Sequence, residues 1–278
     1  ILMYKRIISR LDIKNGILVK GIALEGLRNL GDPTYFSKTY YENNIDEIHF
    51  QDIVASLYDR SILYKVIEKN CKTIFVNLSV GGGIRNESEI DKLLRLGADK
   101  IIINTAAIRN PEFLKRIVKI YGSSTISVAI ETVKIGNKYE VLVESGRERT
   151  GINLNEWIDK VQEAQVGEIT LTDINYEGRK KGFNIELYKD LRKKIDVQFV
   201  AHGGASDKEN VLQLFKESDV DAVSIASMFH YHYLKRDNNS VLKGSNVYLK
   251  TFDDSMKTGT SIRDLKNFLN KNGVKTRL

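Results

Sequence analysis

Val80-Gly81-Gly82-Gly83-Ile84 and, 121 residues further on, Ala201-His202-Gly203-Gly204-Ala205 each close an apolar run with paired glycines. The match is not isolated. Gln51-Asp52-Ile53 resembles Thr172-Asp173-Ile174 at an offset of 121, and Asn104-Thr105-Ala106 resembles Ala226-Ser227-Met228 at 122. Arg10-Leu11-Asp12-Ile13 resembles Ala129-Ile130-Glu131-Thr132 at 119. Four matches at nearly one offset, each at the end of an apolar run, mark an internal duplication. Outward from these stretches, strand-like runs fall at 6–13, 47–53, 74–80, 100–104, 125–131, 168–173, 197–202 and 222–226. Amphipathic helical patterns separate them, at 87–96, 111–121, 154–164, 185–194 and 208–217. Asn86-Glu87-Ser88-Glu89 and Asn110-Pro111-Glu112 read as helix starts, an Asn cap followed by acid or Pro in the first turn. Alternating strands and helices form parallel βα units, and eight such strands close a barrel. The expected fold is therefore α/β, one (βα)8 TIM barrel over 1–278 made of two (βα)4 half-barrels, about 4–122 and 123–278. In each half the first strand leads into a hairpin, turning at Asn15-Gly16 and at Gly136-Asn137. The stretch 231–259, rich in Lys, Asn, Ser and Asp, reads as an insertion before a last helix at 261–271.

Composition agrees with one well-packed domain. The chain has 278 residues, 42% hydrophobic and 28% charged, with Lys+Arg 43 against Asp+Glu 36 for a net charge of +7. Those fractions exclude disorder and collagen-like structure, and a single cysteine, Cys71, excludes an internal disulfide. No apolar run approaches the ~20 residues that span a bilayer. The N-terminus lacks a signal-peptide layout, so a cytoplasmic location is expected. Basic and acidic residues are interspersed, which speaks against a nucleic-acid stripe. His49, His202, His230 and His232 make no ligand spacing with Cys71, so no metal is expected, and no cofactor either. His230 and His232 sit in an aromatic run and read as packing residues.

Active sites of such barrels lie at the C-terminal ends of the strands. Asp12 and Glu131 end the first and fifth strands and face each other, as general acid and base work requires. Gly82, Gly83, Gly203 and Gly204 let backbone N–H groups approach an anion, and Thr105 and Ser227 add hydroxyl donors beside each loop. Two such sites imply a ligand with a phosphate or other anion at each end. At the opposite end, Arg6, Glu47, Lys100 and Glu168 begin four strands. Period two makes Ile8 and Arg10 inward-facing with Asp12, and His49 and Gln51 inward-facing with Glu47. An inward Arg10 needs an anionic partner, either Glu131 or a substrate carboxylate.

These motifs, with Val19-Lys20-Gly21, Gly31-Asp32-Pro33 and Gly97-Ala98-Asp99-Lys100, resemble the cyclase subunit family of imidazole glycerol phosphate synthase. The resemblance runs from Lys5-Arg6 through Phe229-His230 and resumes at Gly273-Val274. It implies an enzyme that receives ammonia through the barrel from a glutaminase subunit, as a heterodimer, and acts on a phosphorylated substrate. It implies that Arg6, Glu47, Lys100 and Glu168 are the ammonia gate, with Asp99 near the partner interface. It also implies that Asp12 and Glu131 are catalytic. Gly82, Gly83, Asn104, Thr105, Gly178, Gly203, Gly204, Ala226 and Ser227 would hold phosphates. Arg10, Lys20, Glu177, Arg179 and His202 would shape the substrate pocket.

The chain departs from the family pattern at several of these positions. Glu131 stands where the family has Asp, and one methylene moves a carboxyl by ~1 Å, a misplacement that can cost ~100-fold in rate. Arg10 and His202 replace small residues, and His49 and Gln51 replace apolar ones. The usual Asp-x-Asp-Gly-Thr is Asn175-Tyr176-Glu177-Gly178-Arg179. The gate is kept while the pocket is rewritten. This pattern resembles a diverged branch associated with sugar amidination in surface-polysaccharide pathways, and that is the expected role. The alternatives are the authentic cyclase subunit of histidine biosynthesis and a non-catalytic scaffold for the glutaminase.

Overall fold

The computed structural model describes residues 4–22, 25–54, 61–234 and 259–278. Eight parallel strands form its centre: β1 (Arg6–Lys14), β4 (Glu47–Asp52), β5 (Asn77–Gly81), β6 (Lys100–Ile103), β7 (Ile126–Ile135), β10 (Glu168–Asp173), β11 (Gln198–His202) and β12 (Ala222–Ile225). They pair in the order β10-β11-β12-β1-β4-β5-β6-β7, and β7 pairs β10 to close the ring. Following the register round the ring climbs two residues at each of four strands: Arg6 to Ile8, Asn77 to Ser79, Lys100 to Ile102 and Gln198 to Val200. That is the shear of eight expected of a (βα)8 barrel.

The strands are β-branched and buried on both faces, as parallel strands under a helical coat must be. Ile7 and Leu11 face the helices, while Ile8 packs with Val200 and Ala222 inside the barrel. Helices α3 (Glu87–Arg95), α5 (Pro111–Tyr121), α6 (Leu154–Glu163), α7 (Ile185–Arg192), α8 (Lys208–Ser218) and α10 (Ile262–Lys271) each start at a side-chain cap: Asn86, Asn110, Asn153, Asn184, Asp207 and Ser261. Trp157 of α6 and Tyr188 of α7 are fully buried in this outer layer. The Tyr188 hydroxyl lies 3.0 Å from the Leu171 carbonyl and 2.9 Å from that of His202, tying the coat to the strands below the loops.

The hairpins after β1 and β7 are present, and each is a three-stranded ribbon. β2 (Ile17–Ile22) pairs β3 (Glu25–Gly31), and β8 (Lys138–Val143) pairs β9 (Glu148–Asn153). The third strands were not expected. The strand expected from residue 74 begins at Asn77, because the Ile74 N–H still donates to the Asn70 carbonyl at 3.0 Å, at the end of the preceding helix. The first residues of the expected insertion, 231–234, belong to α9 (Ser227–Leu234). The stretch that follows, 235–258, lies outside the described residues. His230 is fully buried and stacks on Tyr40, as its aromatic context suggested.

Two glycines fix the loops at the top. Gly82 has φ +107°, and a Cβ there would lie 2.1 Å from the Asp52 carbonyl oxygen. Gly204 has φ +114°, and a Cβ would lie 2.0 Å from the Gly182 carbonyl oxygen. The Gly182 N–H donates to the Gly204 carbonyl at 3.0 Å, so the loops after β10 and β11 share one close approach. Gly204→Ala is expected to destabilise the chain by about 3 kcal/mol, from an unfavourable φ and a backbone clash. Urea unfolding of the two proteins measures it, and an unchanged midpoint would refute the close approach.

Candidate active site

The N-terminal end of the barrel is closed by charge. Arg6, Glu47, Lys100 and Glu168 are the first residues of β1, β4, β6 and β10, so their inward side chains meet on the axis. Arg6 donates to Glu47 at 2.6 Å and to Glu168 at 2.7 Å; Lys100 lies 3.2 Å from Glu47 and 3.0 Å from Glu168. Two acids and two bases alternate, so the ring is neutral. Glu47 also accepts from Ser79 at 2.6 Å and meets His49 at 3.2 Å. Burial pushes its carboxyl up, but the His49 hydrogen bond and the charges of Lys100 and Arg6 hold it well below the usual carboxylate range. Ser79 and Gln198, which lies 3.4 Å from Arg6, were not foreseen. The inward parity of β5 and β11 carries both residues, and neither bears a charge that marks it in the sequence. Glu47, His49 and Glu168 place ligand atoms within 4.8 Å of one another, as a metal site would. Arg6 and Lys100 already neutralise both carboxylates, so a dication has no charge left to answer.

At the other end, the candidate acid and base are both buried, Asp12 at 3% and Glu131 at 6% exposure. Arg10 points inward as expected, but its partner differs. Its Nε donates to Asp12 Oδ1 at 2.8 Å, two residues along the same strand face. Glu131 affects Arg10 only through its charge. Burial pushes Asp12 up, and the charges of Arg10 and Lys20 overcome it, so Asp12 stays ionised. Burial dominates at Glu131: despite Arg10 and an Asn104 hydrogen bond, its carboxyl is pushed up to about 7. Two carboxyls driven apart in this way divide into base and acid at neutral pH.

Around this pair the expected pocket residues take distinct places. Lys20 and Glu177 form a buried ion pair, while Arg179 is exposed. Asn104, expected at a phosphate, donates to Glu131 at 3.1 Å and also lines the cleft beside Gly82. Thr105 Oγ1 accepts the Glu144 N–H at 3.1 Å, leaving its own proton to donate. Glu131, Thr172 and His202 are level on adjacent strands. His202 Nδ1 lies 2.8 Å from the Ser224 carbonyl, which can only accept, so Nδ1 carries the proton and Nε2 is an acceptor. Burial and the Arg10 charge hold His202 well below its usual range, hence neutral. Its Nε2 has no hydrogen-bond partner among the described residues.

Two clefts open at this end, and Gly203 and Gly204 line neither of them. One of about 290 Å³ is lined by Gly82, Gly83, Asn104, Thr105 and Glu131; the other, about 700 Å³, by Lys20, Gly178, Arg179 and Ser227. Gly82, Gly83, Gly178, Gly203 and Gly204 all have positive φ, between +58° and +114°. Such turns present successive N–H groups to an anion. Ala226 is buried directly before Ser227, which opens α9. Asp99, expected at the partner face, is exposed at the N-terminal end, and its Oδ2 accepts the Leu78 N–H at 2.8 Å. No described helix is long and apolar enough to cross a membrane.

Comparison with known proteins agrees with this geometry. A family described as "Histidine biosynthesis protein" matches residues 6–235. The chain is 38% identical over 277 residues to the imidazole glycerol phosphate synthase subunit HisF of Pyrococcus furiosus, covering 100% of both chains. It is 34% identical over 277 residues to that of Natranaerobius thermophilus, again covering 100% of both. With the Petrotoga mobilis subunit it shares 38% over 253 residues, 89% of this chain and 100% of that one. A closed eight-stranded barrel with a charged ring below and a carboxyl pair above, matched end to end by such relatives, places the chain in the histidine biosynthesis protein family, among the HisF-type synthase subunits.

Proposed function

We propose that this barrel is the ammonia-consuming cyclase subunit of an imidazole glycerol phosphate synthase, paired with a glutaminase subunit. The observation that carries the reading is the neutral Arg6, Glu47, Lys100 and Glu168 ring at one end of the barrel axis with the Asp12 and Glu131 pair at the other. In this reading the glutaminase docks on the N-terminal face near Asp99 and releases ammonia at the ring. Neutrality matters there: an ammonium ion gains nothing from a ring already balanced, whereas uncharged ammonia crosses without a counter-charge. Above the ring, the hydroxyls of Ser127, Thr170 and Ser224 are buried without a hydrogen-bond partner among the described residues. They offer a small polar guest the contacts it loses on leaving water.

At the top, the Gly82 and Gly203 loops hold the two phosphates of the substrate and set its reacting carbon between the carboxyls. Ammonia adds to that carbon and forms the C–N bond. Asp12, kept ionised by Arg10, takes a proton from the incoming nitrogen. Glu131, which retains a proton near neutral pH, gives it to the departing oxygen. The HisF relatives support this reaction over a scaffold, which needs neither an acid nor phosphate loops.

A second reading draws on one observation: Arg10, bonded to Asp12, fills a layer that the family keeps small. The same ammonia chemistry would then act on another phosphorylated substrate, with sugar amidination for surface glycans as the role. One assay separates the two. Turnover of the histidine-pathway intermediate with saturating ammonium is expected at ~1 s⁻¹ or above. Its absence, with glutamine hydrolysis still coupled to binding at the barrel, would overturn the first reading in favour of the second.

A further inference from the structure

Along the inner wall of the barrel, Ser127 Oγ, Thr170 Oγ1, Ser224 Oγ and His202 Nε2 are buried with no hydrogen-bond partner among the described residues. Strand register orders them. Ser127 is level with Glu168 of the charged ring. Thr170 stands two residues higher on β10, one inward layer up. Ser224 and His202 pair side by side, level with Thr172 and Glu131, two residues higher again. The orphaned atoms therefore climb one inward layer at a time, from the ring to the carboxyl that retains a proton. A buried polar atom left alone is costly unless a guest pairs with it.

The last of these atoms differs in kind. A hydroxyl both donates and accepts, whereas His202 has committed its one proton: Nδ1–H points to the Ser224 carbonyl at 2.8 Å, so Nε2 only accepts. His202 ends β11 at 2% exposure, and Arg10, Asp12 and Lys20 all act on it through their charges. Burial and the Arg10 charge keep it neutral, so Nε2 does not become a donor. Ammonia carries three N–H groups and one lone pair, and the lone pair forms the C–N bond. A neighbour that donates to ammonia occupies that lone pair. A neighbour that only accepts holds an N–H and leaves the lone pair free to attack. We propose that His202 Nε2 receives an N–H of ammonia at the top of the inner wall and turns its lone pair toward the reacting carbon. The inference rests on the ammonia-consuming reading, which both candidate substrates share, and it names the residue that orients the nucleophile.

The test joins ammonium-dependent turnover of the histidine-pathway intermediate with NMR of the full chain labelled with ¹⁵N-histidine. Asparagine reaches only as far as Nδ1, so His202→Asn keeps a donor for the Ser224 carbonyl and loses the distal acceptor. It is expected to lower kcat/KM for ammonium about tenfold or more, with the KM of the phosphorylated substrate within about threefold. Glutamine reaches as far as Nε2, and His202→Gln should recover most of the loss. Thermal melting checks that both variants fold. In the NMR titration, the Nε2 resonance that disappears in His202→Asn should move with ammonium chloride and not with potassium chloride at the same ionic strength. Its midpoint in total ammonium should fall about fivefold from pH 8 to pH 9, above the Glu131 range, because uncharged ammonia is the ligand. A higher KM for the phosphorylated substrate with kcat/KM for ammonium unchanged would put His202 on that substrate and overturn the proposal. An Nε2 resonance indifferent to ammonia overturns it as well. If the parent chain makes no product with ammonium, the cyclase reading fails, and the NMR titration still decides the role of His202.

Discussion

Lys100→Ala is expected to lower glutamine-dependent product formation by about 100-fold while activity with free ammonium stays within about threefold. Lys100 is the one ring member that bridges both acids besides Arg6. Without it, Glu168 keeps Arg6 alone, whereas Glu47 keeps Arg6, Ser79 and His49. The ring then carries a net negative charge and a hole the length of a lysine. Water enters where the closed ring excluded it, and ammonia released below escapes before it climbs the lumen. Ammonium supplied in bulk reaches the top directly and bypasses the defect. Lys100→Met refills the hole without the charge, so it separates shape from neutrality. Steady-state assays with glutamine and with ammonium chloride decide the matter. Unchanged glutamine-dependent synthesis in Lys100→Ala would remove the gate from the mechanism.

The barrel was legible because its signals are local and repeated. A β-branched run, a cap and an amphipathic helix recur, and the duplication at an offset near 121 doubles the weight of each. The four charged strand starts were legible one by one, but that they meet as a ring was implied only by the family resemblance. The third ribbon strands were not legible. Glu25-Gly26-Leu27-Arg28 and Glu148-Arg149-Thr150-Gly151 are polar and glycine-containing, and each pairs on one side only with the strand before it. No buried face imposes an alternation there. The partner of Arg10 was missed because strand reasoning looks across the barrel. Residues two apart on one strand also share a face, and Asp12 is nearer to Arg10 than any group opposite. The hydrogen bond from the Asn104 amide to Glu131 was not foreseen, because the motif pointed Asn104 at a phosphate and said nothing of a side chain on the next strand. The substrate itself is written in no local pattern. It depends on how the buried Arg10, Lys20, Glu177 and His202, far apart in sequence, act on the Asp12 carboxylate and on one another in the fold.

Glu131→Gln is expected to make the protein inactive and, above pH 7, more stable. The carboxyl titrates near 4.5 in an unfolded chain and near 7 in the fold, because burial outweighs the help from Arg10 and Asn104. Between those values the folded protein holds a proton that the unfolded chain has released. Raising the pH through that window therefore favours unfolding, and the accumulated cost is on the order of 3 kcal/mol above pH 7. Glutamine is the neutral isostere. Its amide oxygen still accepts from Asn104, and it has no proton to lose. Stability of the two proteins should be about equal near pH 4.5 and should diverge to about 1–3 kcal/mol in favour of the variant at pH 8. Asp12 titrates in the opposite sense. Its ionised form is favoured in the fold, so the stability it contributes is lost as pH falls below the usual carboxylate range, outside this window. Turnover should drop by about 10²–10⁴-fold, the usual size of a general acid contribution. Urea unfolding at pH 5 and pH 8, with turnover measured alongside, reads both effects. A variant whose stability follows the same pH slope as the parent would show that Glu131 is already ionised, and the proton for the departing oxygen would have to come from elsewhere.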